Sequence, residues 1–162
     1  MKLEQKLYQL FNANPEITSR VGLSANGTKC IHIGQHNPVD SAYPQLTYVF
    51  EESTSEEVLP AKRGTLYIRY FLDESASQPF KQNTTMCDII EGMINKRPTV
   101  FEDVSYGDNR GLHVNRCVKT VRITSEFMQD IKKHVAYLVF DIVMSDEFMN
   151  YNSNNGEELK WP

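Results

Sequence analysis

The stretch that most constrains this chain is "HVAYLVFDIVMSD", residues 134 to 146. Its β-branched and aromatic content and its length mark a β-strand. Alternation then places Ala136, Leu138, Phe140, Ile142 and Met144 on one face, and Val135, Tyr137, Val139, Asp141 and Val143 on the other. A half-buried strand has one apolar face and one wet face. Here both faces are apolar, and the second carries a single acid. Whatever fold the chain adopts must therefore cover both sides of this strand.

The rest of the chain supplies cover for one side. Leu3, Leu7, Leu10 and Phe11 form an apolar stripe on an N-terminal helix, which Pro15 ends. A turn region follows in "EITSRVGLSANGTK", then a short strand candidate in "CIHI" and a polar loop in "GQHNPVDSAYP". "QLTYVFEES" and "GTLYIRYFLDE" alternate as strands, and the second keeps Tyr67 and Phe71, with Arg69 between them, on its nominally wet side. "QPFKQNTTMCDIIEGMINK" is the main helix, with Phe80, Cys87, Ile90 and Ile94 in line and Met86, Ile89 and Met93 beside them. "LHVNRCVKTVRITSEF" reads as a long strand of mixed polarity, and "MQDIKK" as the turn into residues 134–146. The expected fold class is α+β: a mostly antiparallel β-sheet with one main α-helix packed on one face and an N-terminal helix. Residues 1–146 form a single domain, and the Asn-rich, aperiodic 147–162 is a flexible tail. The second sheet face, with Tyr67, Phe71, Val135, Tyr137 and Val139, is left for a partner chain or, failing that, the N-terminal helix and long loops.

Composition narrows the classes. The 162 residues suffice for one real core, and 40% hydrophobic with 23% charged residues is a globular balance. No apolar run approaches the roughly 18 to 20 residues that span a bilayer. The N-terminus has Lys2, Glu4, Gln5 and Lys6 scattered through it, so it is not a secretory signal and a cytosolic origin is expected. Three isolated cysteines, Cys30, Cys87 and Cys117, give neither a disulfide framework nor a zinc pattern and read as small buried hydrophobes. A net charge of −4 disfavours a nucleic-acid binder, whose phosphate contacts need clustered Lys and Arg.

Chemistry-bearing motifs are weak. Cys30, His32, His36 and Asp40 lie close together in sequence, but their spacing matches no usual zinc site, and a strand running into a turn accounts for them. His134 with Asp130 sketches a general-base pair that a turn also explains. No nucleophile elbow, phosphate loop or dinucleotide fingerprint is present. "GDNRG" reads as a hairpin tip, and Trp161 sits near the end of the polar tail. Glu51, Glu52, Glu56 and Glu57 flank "STS"; they read first as a solvated loop, and otherwise as an acidic surface that keeps a polyanion from sticking.

The order of these features resembles the tail-terminator, or tail-completion, family of long-tailed bacteriophages. Four stretches carry the resemblance in order: the helix and Val-Gly turn of "LYQLFNANPEITSRVG"; the strand, turn and Tyr-Pro of "IHIGQHNPVDSAYPQLTYVF"; the strand, linker and helix of "LYIRYFLDESASQPFKQNTTMCDIIEGMI"; and the closing hairpin "VKTVRITSEFMQDIKKHVAYLVFDIVMSD". Together they span roughly residues 3 to 146 and match in order and texture; the 98–111 loop and the tail lie outside the match. The resemblance implies a homohexameric ring that caps the tail tube, stops its polymerisation and offers a docking surface to the head-completion and neck proteins. DNA passes through without specific binding, and no catalysis, cofactor, metal or membrane is implied. The protein would reside in the virion tail or neck, after assembly in the host cytoplasm. Tyr67, Arg69, Phe71, Val135, Tyr137, Val139 and Asp141 are then expected at the subunit interface, with Asp141 paired to a base such as Arg69 or Arg122. Glu51, Glu52, Glu56 and Glu57 are expected to face the channel. Other readings are a head-tail connector or stopper of the same neck, and a small enzyme using His32, His36 or His134. A single-stranded nucleic-acid binder stacking bases on Tyr67, Tyr70 and Phe71 is a further one.

Overall fold

A computed structural model describes residues 3–34, 36–37, 42–53, 61–102 and 113–145. Three helices, α1 (Leu3–Ala13), α2 (Pro15–Thr18) and α3 (Pro79–Ile94), accompany five strands: β1 (Ile31–Ile33), β2 (Gln45–Glu52), β3 (Ala61–Asp73), β4 (Val114–Met128) and β5 (Lys133–Ser145). The strands form one sheet in the order β1-β2-β3-β5-β4, parallel only between β1 and β2. The fold class is α+β, as the alternation and helix stripe predict. β5 lies inside the sheet between the long strands β3 and β4, so both its edges are paired and both its faces need cover.

All three helices pack on the same face. Leu66, Ile68, Tyr70 and Leu72 of β3 meet Ala136, Leu138, Phe140 and Ile142 of β5 there. Above them lie Met86, Cys87, Ile90 and Ile94 of α3, and Leu3, Leu7 and Phe11 of α1. The Phe11 ring meets Tyr48 edge-on at 5.3 Å, and the Tyr48 hydroxyl donates to the Glu4 carbonyl at 3.2 Å. The N-terminal helix therefore enlarges the first core and does not cover the second sheet face. Pro15 does end α1, yet the segment after it is not only a turn. Asn14 accepts a hydrogen bond from the Glu16 amide at 2.9 Å, and Pro15 fills the first helical position, where its missing N–H is no loss. One helical turn results, and it buries Ile17.

The end of α3 is bolted to β4. Asn95 accepts from the Lys119 amide at 2.9 Å, and the Lys96 amide donates to the Cys117 carbonyl at 2.7 Å. Arg122 binds Asp88 and Glu91, and Lys119 adds a second contact to Glu91. Gly64 serves the β2–β3 pairing differently: the Phe50 ring lies where a side chain would stand, and an added Cβ would come within 2.5 Å of the Glu51 carbonyl oxygen. Gly64→Val should lower stability by about 1–3 kcal/mol through this overpacking, read from urea unfolding.

Burial also sets the alkaline limit of the fold. Desolvation raises the phenols of Tyr48 and Tyr70 well above the ordinary tyrosine range, and pushes the Cys87 and Cys117 thiols up to about 11 and about 12. Each group holds its proton more tightly when folded, so its contribution is complete below the unfolded pKa and is lost as pH rises beyond it. Unfolding free energy should therefore start to fall above roughly pH 8.5 and steepen above roughly pH 10. Tyr70→Phe should remove about 1.4 kcal/mol per pH unit from the steep part of the slope, measured by urea unfolding across that range.

Candidate interaction surface

The strand registers put a grid of side chains on the sheet face opposite the helices. One row runs Gln45, Phe71, Val135; the next Thr47, Arg69, Tyr137, Ile123; the next Val49, Tyr67, Val139, Val121; and the last Glu51, Thr65, Asp141, Val118. The grid divides into three zones with different cover.

The first zone is covered by the chain itself. The His36 ring lies 4.8 Å from Phe71, and its Nε2 shares a 2.8 Å hydrogen bond with the Tyr43 hydroxyl. Asn37 holds the Gln45 side chain through its amide at 3.0 Å and its carbonyl at 3.2 Å, and the Lys133 ammonium sits 4.5 Å over the Tyr43 ring. Burial, followed by the nearby Lys133 charge, lowers the His36 pKa. Phe71 and Val135 are consequently buried, and neither offers surface to a partner.

The middle zone is only partly open: Thr47 and Val139 are buried, so Val139, expected at the subunit interface, offers no surface to a partner, while Tyr67, Arg69 and Tyr137 are half-buried. Tyr67 and Tyr137 stack across the β3–β5 pair at 6.2 Å with 23° between their planes. The Arg69 guanidinium lies 4.7 Å from the Tyr137 ring centre and 5.8 Å from that of Tyr67. Beside this cluster, Val121 and Ile123 of the edge strand β4 are 41% and 38% exposed. Alternation along the sequence does not single out these two. β4 shifts register between Val114 and Arg116, Lys119 and Val121, and Ile123 and Glu126. Each bulge resets which residues share a face, so a period of two cannot be followed along this strand.

The third zone holds the acid. Asp141 pairs with Arg116 at 3.1 Å and approaches Arg63 at 3.9 Å. The expected pairing with Arg69 or Arg122 is not formed. Arg69 sits level with Tyr137, four residues and roughly 13 Å along the strand from Asp141. Arg122 faces α3 on the other side of the sheet. Both partners of Asp141 are half exposed, so Asp141→Ala should cost less than about 1 kcal/mol in urea unfolding and leave the fold intact.

The remaining sequence candidates scatter. Tyr70 is buried on the helix side and Phe71 lies under His36, so the stacking set Tyr67, Tyr70, Phe71 is not assembled on one surface. Cys30, Cys87 and Cys117 are buried thiols. His134 packs edge-on against Phe127 at 4.9 Å, and His113 contacts Glu102 at 3.2 Å. Among the described residues no three of His, Cys, Asp and Glu gather where a metal would bind, and no helix is long and apolar enough to cross a membrane. Glu51 and Glu52 are exposed at the end of β2, with Glu52 3.9 Å from Lys62. Glu56, Glu57, Asp40, the 107–111 tip and the 147–162 tail lie outside the described residues. Compared with known protein families and with curated proteins, the chain finds no match.

Proposed function

We propose that this protein is a structural assembly component, a tail terminator of a long-tailed bacteriophage, working as a homo-oligomeric ring. The observation that carries the reading is the partly open middle of the second sheet face. Tyr67, Arg69 and Tyr137, with Val121 and Ile123 beside them, make a contiguous aromatic and aliphatic patch around one cation. Tyr and Arg in an apolar setting are the residue types that dominate protein–protein contacts. Among the described residues the helices lie on one side of the sheet only, and a ring of copies would cover this patch on every subunit. In this reading the ring closes the last turn of tail tube protein, stops its polymerisation and presents its far side to head-completion proteins. DNA passes without specific contact, and the protein resides in the virion neck. The order of elements along the chain, which resembles the tail-terminator family, supports the choice of this assembly over other rings.

Light scattering on a sizing column, with negative-stain images of the same peak, tests the reading. The expected result is a sixfold particle with a central hole and six times the 18.7 kDa chain mass, alone or on the ends of tail tubes. A monomer that also fails to associate with tubes would contradict it.

A further inference from the structure

His36 and Tyr43 close over the first zone of the second sheet face. The His36 ring lies tilted on Phe71 at 4.8 Å and stacks beside the Tyr43 ring at 6.2 Å, and its Nε2 shares the 2.8 Å hydrogen bond with the Tyr43 hydroxyl. Asn37 adds its two bonds to the buried Gln45 side chain. Beneath them the paired residues Phe71 and Val135 are buried.

The charges around this contact oppose a second cation. Lys133, at the start of β5, has a side chain only 15% exposed; its ammonium sits 4.5 Å over the Tyr43 ring and binds Asp73, at the end of β3, at 3.1 Å. Asp130 and Lys132 belong to the β4–β5 turn, His32 stands on β1 level with Thr47, and Glu126 stands on β4 level with Val135. A protonated His36 ring would give up part of its hydration and meet the field of Lys133, with the Asp130 carboxylate acting the other way. Burial and Lys133 outweigh Asp130, and the His36 pKa is lowered.

We infer that His36 and Tyr43 form an acid-released clasp: protonation of His36 loosens its seat on Phe71 and uncovers the apolar pair Phe71 and Val135. The clasp lies within one chain, so it holds whether or not the ring forms. Once uncovered, Phe71 and Val135 extend the row of Arg69 and Tyr137 into a larger aromatic and aliphatic surface, of the kind protein partners take. His36 binds its proton more weakly when clasped than when released. The clasp is therefore at full strength above the released pKa of roughly 6.5 and weakens as pH falls below it. For one group, the released fraction rises by at most about tenfold per pH unit, down to the clasped pKa.

Two NMR readouts on the full chain between roughly pH 8 and pH 5 test this: the titration of the His36 ring protons, and the exchange protection factor of the Asn37 amide, which donates to Gln45. The His36 midpoint should lie below roughly 6.5, and Asn37 protection should fall by up to about tenfold per pH unit below that point. Lys133→Met should raise the midpoint and Asp130→Asn should lower it further. His36→Phe keeps a ring on Phe71 without a titrating group, so its Asn37 protection should hold across the range; should that variant fail to fold in a thermal melt, His36→Gln takes its place and should show a weaker protection that is equally flat with pH. A midpoint at or above roughly 6.5, an Asn37 protection that does not change with pH, or an acid loss that persists without His36 would overturn the clasp. So would a midpoint that neither charge variant moves.

Discussion

A strand buried along both edges with apolar side chains on both faces must be covered twice, and that requirement shapes this molecule. β5 meets it on the helix side with a single continuous core that joins Phe140, Leu138 and their β3 neighbours to residues of α1, α2 and α3. Apolar burial of this kind is the main favourable term in folding, so one covered face is enough to hold the domain. Among the described residues, the other face is covered where the chain turns back on it, at His36 and Tyr43 over Phe71. The division between finished and unfinished face is therefore already made inside one chain.

The charges follow the same division. On the helix side, Arg122 and Lys119 converge with Asp88 and Glu91 and tie the edge strand to α3. On the open side, Asp141 finds Arg116 across the β4–β5 pair, and Arg69 is left to aromatic contacts. Cation–π contact favours a guanidinium but supplies no acceptor for its N–H groups. In the proposed ring a neighbouring chain would cover that site.

Much of this was readable in the sequence where periodicity was clean. The alternation of 64–73 and 134–144 located β3 and β5, the stripe from Met86 to Ile94 located α3, and the doubly apolar character of β5 announced the open face. Legibility failed where tertiary context decides. Pro15 carries both a stop and a start signal, and only the Asn14 cap reveals the helical turn after it. The bulges of β4 hid Val121 and Ile123. The partner of Asp141 depends on which strand lies beside β5 and in what register, which no local pattern contains. Phe71 looked like surface because its cover, His36, comes from 35 residues earlier in the chain.

The most direct measurement is a cryo-EM reconstruction of the assembled protein at side-chain resolution. The central claim is that the sheet face bearing Tyr67, Arg69 and Tyr137 is covered by a neighbouring chain. The expected map shows density of an adjacent subunit seated on these three residues. A ring whose subunits meet elsewhere, with this face open to solvent, would contradict the claim.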